Sequence, residues 1–330
     1  ERPWSRFDYI RDSNTGRFVM QVHRRRGWEI AEHAVTAESA FDRRTALMGA
    51  AGAIAAAAFA LRPGIARAQG APLNPGYQPG RAITAEADAT SYNNYYEFGT
   101  SKSISRAAQR MPIEPWTIKV DGMVETPRTI DLADLLKQVS LEERIYRHRC
   151  VEGWGMTVPW TGFALKDLVA QCKPLASAKY IQFETLNDPK SMPGVRSSQF
   201  DWPYIEGVTM AEAGNDLAFM ATGLYGKAMP KQNGAPIRLV MPWKYGFKSV
   251  KSIVHMTFTD QKPKTFWEGM QPSEYGFWAN VNPAVPHPRW SQATERLLTS
   301  EERVPTQIYN GYGPFVAGLY TNLQNERLFV

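Results

Sequence analysis

A strand that ends on a thiol constrains this chain more than any other feature. From Arg144 to Trp154 the chain reads Arg-Ile-Tyr-Arg-His-Arg-Cys-Val-Glu-Gly-Trp. Strand alternation places Arg144, Tyr146, His148 and Cys150 on one face and Ile145, Arg147, Arg149 and Val151 on the other. Three arginines and a histidine just before the cysteine predict an electropositive neighbourhood. Such surroundings lower a thiol pKa and favour the thiolate, which is the nucleophilic and metal-binding form.

The remaining pattern sets the fold class. Trp116 to Val120 alternates as a strand and Gly122 turns it, after which Asp131 caps a short helix through Leu135 and Leu136. Trp154 to Gly162, with Pro159, reads as loop, and Phe163 to Cys172 as helix. Lys179 to Thr185 alternates again, and further strands are expected at Leu217 to Ala221, Ile237 to Met241 and Val250 to Phe258. Many short strands with few short helices predict a β-rich α+β domain. No internal repeat or composition break divides it, so residues 69–330 are expected to form one domain. With 43% hydrophobic and 12% aromatic residues over 330 positions, there is ample material for a core.

Residues 1–68 have the layout of an export signal. Arg43-Arg44 precede an uncharged Ala- and Gly-rich run from Thr45 to Leu61, and Ala66-Arg67-Ala68 offers a small-x-small cleavage site. The expected organisation is an extended n-region over 1–44 and an apolar and cleavage region over 45–68. The long n-region makes Met20 the expected true start. A paired arginine before a mildly apolar run is the twin-arginine type, which carries folded proteins to the periplasm. This leader holds 11 Lys+Arg against 7 Asp+Glu, which leaves 27 against 25 in the rest of the chain. A nucleic-acid partner, which wants a clustered basic face, is therefore not expected.

Residue chemistry leaves several uses open for Cys150. A nucleophile would want a base, and His148 is the nearest candidate. A bridge to Cys172, the other cysteine, and a buried structural thiol are the plain structural readings. Zinc lacks a ligand spacing, and neither C-x-x-C nor C-x-x-C-H occurs. The last reading is a single thiolate ligand to a metal held mainly by a phosphate-bearing cofactor. The turn Gln232 to Arg238 and the stretch Lys244 to Lys251 fit it, since they bring Arg238, Lys248 and Lys251 near the ends of two strands. A solvated basic hairpin is the competing reading of those same residues. Ser91 to Gly99, with Asn93, Asn94, Tyr96 and Glu97, is either a capped loop or a loop that binds a polar ligand.

Longer strings carry a resemblance. They are Glu143 to Glu152, Pro159-Trp160, Gln232 to Pro236, Pro242 to Lys248 and His287 to Arg296. From about Val35 to the C-terminus the chain resembles the MsrP family, the periplasmic molybdopterin-dependent protein-methionine-sulfoxide reductases of the sulfite-oxidase molybdenum fold. The resemblance implies molybdenum-molybdopterin as cofactor and Cys150 as both catalytic residue and protein ligand to the metal. It implies cofactor contacts from Asn93, Tyr96, Glu97, Thr185, Asn233, Arg238, Ser249, Val250 and Lys251. Oxidised periplasmic proteins would be the substrates, and a membrane haem-b subunit the electron donor. Tyr245 and Arg289 are candidates for the substrate side, and the arginines before Cys150 are expected to seat the strand and the anionic cofactor. Sulfite oxidation on the same fold and a non-catalytic periplasmic binding protein are the alternatives.

Overall fold

The computed structural model describes residues 6–11, 18–23 and 70–330. Arg43-Arg44, the run over 45–61 and the cleavage site at Ala66-Arg67-Ala68 lie outside the described residues. The chain divides into two compact units, Glu1–Arg62 and Pro63–Val330. In the first, β1 (Arg6–Arg11) pairs antiparallel with β2 (Phe18–His23), which contains Met20. No helix among the described residues is long and apolar enough to cross a membrane.

The second unit is β-rich with short helices, as the strand spacing predicts. One sheet has five strands in the order β4 (Arg128–Asp131), β3 (Thr117–Gly122), β12 (Ile253–Thr259), β7 (Tyr180–Thr185) and β8 (Ile205–Thr209). The other has seven. Its path runs β10 (Lys227–Ala228), β9 (Phe219–Leu224), β6 (Trp154–Ala164), β13 (Thr294–Leu297) and β14 (Arg303–Pro305). Off that path, β5 (Glu142–Arg149) pairs with β6 and β11 (Arg238–Val240) with β9. Inward residues of both sheets, such as Ile118, Val120, Ile181, Phe183 and Met256 from one and Val158, Trp160, Phe219 and Leu239 from the other, share one core. Asp131 caps the helix Leu132–Leu136 by accepting from the Asp134 N–H, as expected.

The expected loop from Trp154 to Gly162 is instead the longest strand, β6, whose 11 residues are all buried. A strand covered on both faces has no alternation to reveal it, and Pro159 argues against a strand. The proline is tolerated because its carbonyl faces β9 and accepts from Tyr225 N, just past the end of that strand. The missing N–H thus falls beyond the last ladder pair. The helix predicted from Phe163 begins at Leu165 and ends at Cys172. Both cysteines are buried and free, so the disulfide reading fails.

Charge also binds the five-stranded sheet. Asp121 on β3 lies 2.9 Å from both His255 Nε2 and Thr257 Oγ1 on β12, and 2.7 Å from Lys119 Nζ. Burial works against the charged carboxylate, yet hydrogen bonds from these partners hold its pKa at about 2, below the ordinary 3.8. A depressed folded-state pKa gives stability that is present above about pH 4 and lost as pH falls toward about 2. Asp121→Asn should therefore flatten the acid limb of stability in that window, read as urea midpoints at several pH values.

Candidate active site

The β5–β6 hairpin places the thiol. Cys150 follows the last residue of β5, its N–H donates to the Trp154 carbonyl (2.9 Å), and Gly153 N–H returns to the Cys150 carbonyl (3.1 Å). Gly153 has φ +85°, so a side chain there would strain this turn. Arg149, fully buried, donates to the Cys150 carbonyl and to Gln292 Oε1 (2.8 Å), and its Nε pairs with Glu295 (2.9 Å). It fixes the backbone that presents the thiol.

Around Cys150 lies a cavity of about 380 Å³. Its walls include all ten residues expected at the site: Asn93, Tyr96, Glu97, Cys150, Thr185, Asn233, Arg238, Ser249, Val250 and Lys251. They come from the loop after the helix Glu86–Ser91, the end of β7, the turn Lys231–Asn233, the start of β11 and the segment before β12. The solvated-hairpin reading fails, because Arg238 is 3% exposed.

The polar groups of this cavity are incompletely paired. Asn93 and Asn233 both donate through Nδ2 to the Ala89 carbonyl, at 3.5 and 2.9 Å. That orientation leaves both Oδ1 atoms buried without a donor. Arg238 spends its N–H groups on the carbonyls of Asn233 (2.8 Å), Ser249 (3.2 Å) and Leu239 (3.3 Å), which neutralise no charge. Burial lowers its pKa to about 10, so it remains a cation. Burial also pushes Lys251 down, assisted by Arg238, and pushes Glu97 up against the pull of Lys251. An anionic group that also presents N–H donors satisfies this set, since buried polar and charged groups without partners are costly. The residues therefore fit a pterin with a phosphate.

Four expectations need correction. The Cys150 thiol is not acidified: burial, reinforced by Glu152, raises its pKa to about 12. The arginines do not reach the cavity. Arg144 turns to Glu142, Tyr146 and the Asp216 carbonyl, and Arg147 to Pro79 and Gln307. A metal, rather than the surrounding side chains, would have to draw the proton from this thiol. Lys248 is not a free cradle cation either, because it is buried in a pair with buried Glu206. Tyr245 packs against Ala279 and Val281 and does not line the cavity, whereas Arg289 does.

Other residues stand around the thiol to which the resemblance gives no role. Cys150 Sγ lies 3.5 Å from Asn94 Nδ2 and 3.7 Å from Glu152 Oε2. Glu152 accepts from Lys102 (2.6 Å), Trp154 Nε1 (3.0 Å) and Asn94 (3.1 Å). Burial opposes its charge, but these donors hold its pKa below the usual range. His148 stays neutral, with its pKa lowered to about 3 by burial and by Arg238, Lys251 and Arg81. It rests against Gly246, where a Cβ would stand 2.4 Å from Nε2. Gly246→Ala should cost about 1–3 kcal/mol by overpacking. Urea unfolding would show it, and adding His148→Ala should recover most of the loss.

The oxidoreductase molybdopterin binding domain model matches residues 106–267. The chain is 46% identical over 319 residues to the protein-methionine-sulfoxide reductase catalytic subunit MsrP of Burkholderia mallei, covering 92% of this chain and 96% of that one. It is 51% identical over 261 residues to that of Xanthomonas campestris pv. campestris, with 77% and 81% covered. For that of Ralstonia nicotianae the figures are 47% over 324 residues, with 92% and 97% covered. A solved structure, the sulfane dehydrogenase SoxCD from Paracoccus pantotrophus, matches 58% of this chain and 48% of its own at TM-score 0.44 and 17% identity. With a relative of this identity matched over nearly its whole length, and with a cavity whose free acceptors and cations suit the cofactor, the chain belongs to the MsrP family of molybdopterin-binding oxidoreductases.

Proposed function

We propose that the protein reduces methionine sulfoxide residues of periplasmic proteins to methionine, at a molybdenum-molybdopterin centre to which Cys150 supplies the protein ligand. The observation that carries this reading is the convergence of Cys150, two unpaired amide oxygens, the buried cation Arg238 and the Lys251 side chain on one cavity. When bound, the centre supplies two-electron, oxygen-accepting chemistry: the S=O bond breaks, sulfur is reduced to the thioether, and the oxygen leaves as water with two protons. This chain's residues bind and orient. Asn93 and Asn233 would accept from the pterin, Arg238 and Lys251 would offset its phosphate, and Glu152 Oε2 stands beside the thiol as a proton acceptor.

The relatives' designation as catalytic subunits supports a separate electron-donating partner, which we take to be a membrane haem-b subunit. The paired arginines at 43 and 44 support folded export by the twin-arginine route. Parallel assays with methionine sulfoxide and sulfite test the reaction. Reduction of the sulfoxide by a reduced viologen dye is expected, and turnover of sulfite alone would contradict it.

A further inference from the structure

The cavity has a rim of which the cofactor reading claims only Tyr96. It is aromatic: Tyr96 packs edge-on to Trp267 (ring centroids 5.0 Å apart), Trp267 meets Tyr275 (5.3 Å), and Trp290 lines the same cavity. One charged group stands among them. Arg289 lines the same cavity yet is 58% exposed, so it faces what arrives from solvent.

The chain holds Arg289 firmly for so exposed a residue. It sits at the tip of a tight turn closed by the bridge between His287 and Trp290, whose rings stack 3.7 Å apart at 8°. Its N–H donates to His287 Nδ1 (3.2 Å), its guanidinium lies 4.9 Å from the Trp290 ring centre, and its Nη2 donates to Glu274 (2.8 Å). The turn is tied to the catalytic hairpin in turn, because Trp290 Nε1 (2.7 Å) and Gln292 Nε2 (2.8 Å) both donate to the carbonyl of Val151, next to Cys150. A long, flexible side chain pre-ordered in this way loses less entropy on binding a ligand. Guanidinium has five N–H donors, and Glu274 occupies one edge only.

From this we infer that Arg289 determines the preference for oxidised polypeptide, by donating a hydrogen bond to a main-chain carbonyl of the bound segment while the aromatic rim receives the methionine sulfoxide side chain. The inference rests on the reaction proposed above. A methionine sulfoxide residue presents two kinds of acceptor, its S=O oxygen and the flanking peptide carbonyls. The S=O must reach the cavity floor beside Cys150, so a donor fixed at the mouth meets the carbonyls. Tyr96, Trp267 and Trp290 suit the methylene, methyl and polarisable sulfur groups between them.

The test uses the molybdenum-loaded enzyme with a reduced viologen dye as donor, and rates normalised to bound molybdenum. Two substrates are compared: a short blocked peptide containing methionine sulfoxide, and dimethyl sulfoxide, which has the S=O but no peptide carbonyl. Arg289→Ala should raise KM for the peptide about tenfold with kcat within about twofold, the pattern of lost uniform binding. Its kcat/KM for dimethyl sulfoxide should fall at least about fivefold less. Arg289→Lys should recover part of the peptide KM, and Glu274→Gln, which loosens the guanidinium, should shift it in the same direction by a smaller factor. An unchanged peptide KM in Arg289→Ala, or equal losses on the two substrates, would overturn the rim assignment alone. A wild-type enzyme that reduces neither sulfoxide would sink the reaction itself, and the rim assignment with it.

Discussion

Cys150→Ser should leave the fold intact and lower sulfoxide reduction at least about a hundredfold. Losing a partner one layer out from a metal ligand typically costs about 10–100-fold, and losing the ligand itself should cost more. Serine is nearly isosteric, so the turn closed by Cys150, Gly153 and Trp154 should survive, as should the grip of Arg149 on the Cys150 carbonyl. The chemistry of the ligand changes. A hydroxyl is a hard donor that holds its proton far more tightly than a thiol, whereas a soft thiolate suits a metal already bound by sulfur. Circular dichroism, bound molybdenum and the rate per molybdenum should be measured together on the variant. A rate per molybdenum within a few-fold of wild type would remove Cys150 from the chemistry.

The second large effect is expected at the cavity's Arg238 and Lys251. Arg238→Met and Lys251→Met should each strip most of the cofactor during purification, and the double variant should retain almost none. Both side chains line the cavity, and no carboxylate among the described residues forms an ion pair with either of them. Charge-assisted bonds to a buried anion are worth more than neutral ones, and removing one partner leaves the other uncompensated. Arg238→Met carries an added structural cost, because the carbonyls of Asn233, Leu239 and Ser249 lose their donor. Among the described residues Lys251 donates no such hydrogen bond; it lies 5.2 Å from the Tyr95 ring centre, and Glu97 is the carboxylate that favours its charge. Lys251→Met is thus the cleaner variant. Molybdenum per chain, measured beside urea midpoints, separates lost cofactor from lost stability.

Much of the site was legible before the structure, and physical reasons account for the rest. Short β-strands announce themselves by alternation where one face is less buried, as in β3 and β7, whose patterns are regular. β6 is buried on both faces and carries a proline, so its sequence looks like loop although it lies inside the seven-stranded sheet. The residues that line the cavity were named through the family resemblance, not through spacing. Arginine density misled at Cys150 because sequence proximity is not spatial proximity. Arg144 and Arg147 found partners away from the thiol, and Arg149 grips the Cys150 carbonyl from outside the cavity. Lys248 misled in the same way: adjacent in sequence to cavity-lining residues, it turns inward to Glu206. Lys102 could not be singled out at all, since its role depends on a meeting with Glu152 50 residues away.

The account turns on the bond between Cys150 and the metal, and X-ray absorption at the molybdenum edge reads that bond directly. The cofactor-loaded wild type and Cys150→Ser should be compared in the same oxidation state. One sulfur scatterer should disappear from the molybdenum shell in the variant, with the remaining sulfur ligands retained. An identical sulfur count in the two proteins would contradict the assignment of Cys150 as the protein ligand.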